Sequence, residues 1–347
     1  MKRLVLLFPV VLLLLSPQPV CAQEIKGQKP VMLIGDTFQF TPGSWATYTL
    51  YDKAEDTYYT MTMSILESVR KNGKDSAWME IEIETDKELV VTRILTEKTK
   101  AGPGEMFEVI VYMQGMTPFS IPGAWLKDED QKVGDFRVSQ VQSRVAQRSI
   151  RFGGYPLDVF DVDATDENGA PVAATVSLGV APIGILMADT KEMAMFLEDW
   201  GTGAKTRVVG TPVGFIEWTI GLVGKGMAGE DVEMKPRPQR ALDVSGSWEE
   251  ADGPCAGSRW TLSGVSLAAA TVGADSRCEG RTAPVAQAAD PRWKTDKVLT
   301  FSLPGRGAAA SRVSIAFSSA ARAVVMFTDP NGRQALATLR RAGTRIE

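Results

Sequence analysis

Residues 56–84 read DTYYTMTMSILESVRKNGKDSAWMEIEIE. Tyr59, Met61, Met63 and Ile65 alternate with Thr60, Thr62 and Ser64, and beyond Asn72-Gly73 the residues Met79, Ile81 and Ile83 alternate with Glu80, Glu82 and Glu84. A period of two sends successive side chains to opposite faces of a strand, and Asn-Gly favours a tight reversal. The segment therefore predicts an antiparallel hairpin with one apolar face and one face of hydroxyls and carboxylates. A parallel sheet covered on both sides would bury those carboxylates, so the sheet is expected to be antiparallel.

Working outward, the same pattern starts at Phe38 in FQFTPGSWATYTLYD, with a turn expected at residues 52–56. Further strands are expected at 88–95, 106–113, 157–164, 172–178 and 193–199, the first two joined around Gly102-Pro103-Gly104. Residues 114–122 form a loop carrying Met116 and Phe119, read either as a lid over an apolar cavity or as the cap of a core. Asp161, Asp163, Asp166 and Glu167 raise a calcium reading, but Thr165 and Asp166 break the required loop pattern, and Asp166 to Gly169 reads as a charged hairpin turn. GLVGKGMAG at 221–229 lacks the spacing and the Ser or Thr of a phosphate loop; after FIEWTI it reads as a short terminal helix or a glycine-softened exit from the sheet.

The chain opens with MKRLVLLFPVVLLLLSPQPVCA, a basic start, a short apolar run and a small-residue exit, the pattern of a cleavable secretory signal at residues 1–22. Cys21 follows Gln18-Pro19-Val20, which departs from the signal of a lipidated cysteine, so cleavage after Ala22 and a periplasmic location are expected. No later apolar run reaches the length of a membrane span. Removal of the signal leaves Cys255 and Cys278, an even pair that in an exported chain reads as a disulfide. The 347-residue chain contains no histidine, which removes the usual general base near neutral pH, the Ser-His-Asp triad and histidine-containing zinc sites. No nucleophile, metal cluster or cofactor motif is legible, and the expectation is a non-enzyme. Net charge is −7 before Ala241 and +3 from there on, and neither part carries the clustered Lys and Arg of a nucleic-acid surface.

The stretches PGSWATYTLYD (42–52), APIGILMADT (181–190) and MFLEDWGTGAK (195–205) resemble a group of bacterial periplasmic proteins related in architecture to the LolA/LolB lipoprotein carriers, over residues 37–226. The resemblance implies a curved antiparallel half-barrel with an apolar cavity for a lipid or lipoprotein. The carriers' helices are poorly represented, with residues 135–151 the best candidate.

The expected organisation is a signal at 1–22, a flexible start at 23–36, a half-barrel at 37–228, a linker at 229–243 and a small β domain at 244–347. The last is expected to be a barrel or sandwich pinned by Cys255 and Cys278, with Trp248 and Trp260 in its core. RVSIAFSS, RAVVMFTD and QALATLRR are its strands, the last two joined by a turn at 329–332, while LAAATVGA (267–274) is open to a short helix. The fold is thus mainly β with few helices.

Two functional readings differ in what they require. A carrier of a lipid, lipoprotein or apolar partner needs a connected pocket lined by Tyr59, Met61, Met63, Met79, Ile81 and Ile83, with Met116 and Phe119 near its mouth. An assembly subunit bound to a cell-envelope protein needs a filled core and an exposed apolar patch. A third, hydrolytic reading requires carboxylates converging in a cleft.

Overall fold

The computed structural model describes residues 37–85, 88–100, 102–126, 141–144, 147–165, 171–227, 242–252, 256–266, 269–275, 286–287, 289–303, 310–328 and 334–342. The signal, Cys21, Cys255, Cys278 and most of the proposed linker fall outside these residues.

The first sheet contains β1 (Trp45–Asp52), β2 (Thr57–Lys71), β3 (Lys74–Glu84), β4 (Leu89–Thr99), β5 (Gly102–Met113), β6 (Phe119–Pro122), β7 (Val141–Arg144), β8 (Arg148–Phe152), β9 (Tyr155–Thr165), β10 (Pro171–Val176), β11 (Ile185–Asp189), β12 (Met193–Gly201) and β13 (Val213–Gly214). It is a curved half-barrel in the order β13-β6-β5-β4-β3-β2-β1-β12-β11-β10-β9-β7, with β8 beside β9. Its pairs are antiparallel except the short β13–β6 contact. Helix α1 (Phe215–Met227) follows β13 directly.

The deciding hairpin forms as its alternation requires. Met61 faces Ile83, Met63 faces Ile81, and Ile65 faces Met79, while Thr60, Thr62 and Ser64 face Glu84, Glu82 and Glu80. Asn72 and Gly73 both adopt positive φ, at 53° and 79°, the geometry of a two-residue reversal that matches strand twist. The next hairpin differs from expectation. Thr99 pairs with Gly102 and Lys98 with Pro103, so the turn comes earlier and Gly102-Pro103-Gly104 lie within β5. Pro103 is accommodated because β6 reaches only Glu108–Val111, leaving the start of β5 paired on one side.

The candidate helix at 135–151 is also corrected. Residues 141–144 and 148–152 are β7 and β8, both laid along β9. Alternating Ile150 and Phe152 bury toward the rest of the protein, and strand pairing satisfies the backbone over the short helical signal.

The second sheet contains β14 (Gly246–Glu250), β15 (Arg259–Ser266), β16 (Ala269–Asp275), β17 (Ala286–Gln287), β18 (Ala289–Trp293), β19 (Val298–Leu303), β20 (Ser311–Phe317), β21 (Arg322–Thr328) and β22 (Gln334–Arg341). It is antiparallel throughout, in the order β17-β16-β15-β14-β22-β21-β20-β19-β18. Residues 269–275, open to a helix on sequence, pair as a strand with β15. Trp248 and Trp260 face each other across β14 and β15 and anchor the core with Leu299, Phe301, Ile315 and Phe317.

The two sheets pack against each other. Leu299, Val313, Ile315, Phe317 and Val325 fill the second sheet's own core, while the alternate residues Val298, Ala316, Val324 and Met326 belong to the core of the half-barrel. Strands β19 to β21 are therefore apolar on both faces, as a layer covered on both sides must be. Polar ties border this contact: the Tyr58 and Ser314 hydroxyls lie 3.0 Å apart, the Arg312 guanidinium donates to the Tyr51 hydroxyl, and Lys297 pairs with Glu84 at 2.9 Å.

Candidate functional site

The residues expected to line a carrier pocket lie on one continuous face. Tyr48 opposes Met61, Leu50 opposes Tyr59, and the Met61–Ile83, Met63–Ile81 and Ile65–Met79 pairs extend the face onto β3. Met61 is 0% exposed, Met63 and Met79 1% each, and Ile81 8%, with Tyr59 and Ile83 half-buried against the same cluster. The Ala181–Gly184 turn and the segment before β1 are part of this packing. Thr37 Oγ1 donates to the Ile183 carbonyl at 2.7 Å, and the Gln39 amide donates to that of Pro182. Gly184 has φ +74°, and a Cβ there would stand 2.8 Å from Thr37 Cβ, so the turn depends on glycine. Phe38 and Phe40 are held against the cluster as a result. One polar atom interrupts this apolar interior: the Tyr48 hydroxyl is buried without a hydrogen-bond partner, and burial pushes its pKa upward.

Met116 and Phe119 lie apart from that face. Phe119 is buried beneath helix α1, 4.3 Å from Trp218 and 5.6 Å from Phe215 between ring centroids, and Met116 packs on the same small core with Met113. The helix turns Phe215 and Trp218 inward, three residues apart, and leaves Ile216 and Ile220, four apart, on its outer side at 59% and 66% exposure. Trp125, half exposed, stands edge-on to Phe215 at 6.3 Å. The outer side of α1 and Trp125 form an exposed apolar patch.

The hydroxyl and acidic face departs from the sequence expectation, because it is covered despite belonging to an antiparallel sheet. The segment between β12 and β13 crosses it: Thr206 Oγ1 donates to Glu80 Oε2 at 2.6 Å, the Arg207 amide donates to Glu80 Oε1 at 2.7 Å, and the Arg207 guanidinium pairs with Glu82 at 3.3 Å. Lys297 of the second sheet reaches Glu84, and Thr49 donates to the fully buried Glu198. Burial raises Glu82 to about 7, opposed by Arg207 and reinforced by Glu80 and Glu84. Burial likewise raises Glu198 and takes Glu250 to about 7. A carboxyl whose pKa rises on folding stabilises fully below its unfolded value of 4.5, and that contribution is lost as pH climbs through about 7. Urea midpoints are therefore expected to fall between pH 5 and pH 8, and Glu82→Gln to fall less and exceed the parent at pH 8. Parallel slopes for the two proteins would show that Glu82 is not a source.

A cleft of about 430 Å³ opens between β8, β10 and β11 of the half-barrel and β22 of the second sheet. Ile150, Phe152, Leu186 and Leu336 supply its apolar walls, and Arg148, Arg151, Thr175 and Gln334 its polar ones. Arg148 is joined to Asp161 by two hydrogen bonds of 3.0 and 3.1 Å; with Thr175, which also donates to Asp161, it holds that carboxyl below its usual range. Asp161 thus serves a structural ion pair. Among the described residues no group of three or more His, Cys, Asp or Glu is placed to hold a metal ion, and no helix is long and apolar enough to cross a membrane.

These features define a β protein with a half-barrel, a second sheet docked on it, and three surfaces of distinct chemistry. No family model and no curated protein matches the chain. It is similar to solved structures of MucB. The MucB complex with MucA(peri) is 12% identical over 85% of this chain and 86% of that one, with a TM-score of 0.25. The Pseudomonas aeruginosa MucA/MucB complex is 13% identical over 85% and 87%, with a TM-score of 0.23. MucB alone is 10% identical over 88% of each chain, with a TM-score of 0.25. Such identities and scores are too low for residue roles to pass from one protein to the other.

Proposed function

We infer that this chain is an exported, non-catalytic assembly protein that engages a protein partner of the cell envelope through the apolar patch around α1. The observation that carries this reading is the exposure of Ile216 and Ile220 beside Trp125, on a helix whose other side is already committed to Phe119 and Met113. Scattered exposed apolar residues need no explanation, but a contiguous group on one element marks a contact surface. The close packing of Met61, Met63 and Met79 favours the same reading over a carrier. Export and a periplasmic location rest on the leader at residues 1–22.

A photoreactive amino acid at position 216 is expected to give one discrete adduct in cells, lost when Ile220→Lys is added. A control at the exposed Glu55 is expected to give none. Equal adducts at both positions would sink the reading. Lipid or lipoprotein binding inside the half-barrel is the second reading, favoured by the unpartnered Tyr48 hydroxyl, a buried polar atom that a ligand could satisfy.

A further inference from the structure

We propose that the cleft between the sheets binds one anionic single-chain amphiphile, a long-chain fatty acid, with its chain along β8 and its carboxylate at the guanidinium groups. This inference is independent of the partner surface at α1 and uses none of the residues of the half-barrel interior named above. The volume of about 430 Å³ lies within the range of about 300–1,000 Å³ typical of small-molecule sites. Its walls suit a hydrocarbon chain: Ile150, Phe152, Leu186, Met187 and Leu336 offer aliphatic and aromatic surface without the array of polar groups a sugar or nucleotide requires. From Arg148 to Phe152 the strand runs about 13 Å, the reach of an extended acyl chain rather than a compact head.

The charge of the lining points the same way. It includes two arginines and no carboxylate. Arg148 is neutralised by Asp161, whereas Arg151 is exposed and its guanidinium makes only a long contact, 3.4 Å, with the Gly154 carbonyl. No carboxylate pairs with Arg151 among the described residues. Gln334 adds an amide whose Oε1 is buried without a partner, so the cleft holds unused hydrogen-bonding capacity beside unused positive charge. Guanidinium recognises a carboxylate by charge and by paired donors. The cleft also draws on both sheets, so a ligand there would bind their docked arrangement and favour it by mass action.

The test uses the full mature protein and cis-parinaric acid, a fluorescent fatty acid, followed by competition with lauric acid and with its methyl ester. Saturable one-to-one binding is expected, displaced at least tenfold more readily by the acid than by the ester. Arg151→Glu, at an exposed position, is expected to weaken binding about tenfold with an unchanged melting temperature, and Gln334→Trp to fill the cleft and abolish it. Should Gln334→Trp fail to fold, Arg151→Glu decides. Absence of saturable binding, equal competition by the ester, or parent-like binding by folded Arg151→Glu would each overturn the proposal. Loss of binding in Ile216→Lys/Ile220→Lys with retention in Gln334→Trp would place the probe at α1 and overturn it as well.

Discussion

Met326→Asp is expected to separate the two sheets. Met326 is buried on the side of β21 that faces the half-barrel, within the cluster that also holds Val298, Ala316 and Val324. A carboxylate there loses its hydration and finds no cation in exchange, placing the cost among the largest for single substitutions, at about 4 kcal/mol or more. That loss falls on the contact between the sheets and spares the two separate hydrogen-bonded ladders. Denaturation followed by tryptophan fluorescence and by far-ultraviolet circular dichroism is expected to resolve into two transitions where the parent shows one. Met326→Ala, which leaves a cavity without a charge, is expected to cost about 2–3 kcal/mol and keep a single transition. A single transition at the parental midpoint for Met326→Asp would show that the interface contributes nothing to stability.

Trp248→Ala is expected to unfold the second sheet first. Trp248 is fully buried, lies edge-on to Phe317 at 5.4 Å, and donates its indole N–H to the Val244 carbonyl at 2.9 Å. Removing the ring abandons those contacts and leaves a void, for which a cost of about 3–5 kcal/mol is typical. The damage is local to a core formed by β14, β15 and β19 to β22, so amide hydrogen exchange is expected to accelerate in those strands while β1 to β3 stay protected. Uniform acceleration across both sheets would instead make the molecule one cooperative unit, and the void would then act through the docking contact.

The hairpin at 56–84 was legible because each of its determinants is local: alternation assigns faces and Asn72-Gly73 fixes the register. The same held for β20 to β22. Sequence also assigned Val298, Val324 and Met326 to the strand face opposite Phe301, Val325 and Phe327, but alternation cannot say that a second sheet covers that opposite face. The buried acids are a sharper case. Glu80 looks solvent-facing in MEIEIE, and what covers it is a segment about 126 residues later, GTGAKTRVVG, which has no periodicity to announce the contact. The candidate sites divide similarly. The helix after FIEWTI was one of two readings, and its spacing separates Phe215 and Trp218 from Ile216 and Ile220. The cleft was invisible, since Arg148, Thr175, Leu186 and Gln334 come from four strands and no local pattern joins them.

The order of strands in space has a consequence for how the chain matures. β1 lies between its hairpin partner β2 and β12, and β14 finds one of its two partners in β22. Neither sheet can be completed from segments as they emerge in turn; each waits for a strand roughly 90 to 150 residues downstream. Pairings of such sequence separation are slow to form and leave strand edges open meanwhile. Until Gln334–Arg341 has arrived, β14 and β21 each present an unpaired edge flanked by apolar side chains. The vulnerable species is therefore the nearly finished polypeptide, and a shielding factor would be needed most in the last moments of its delivery.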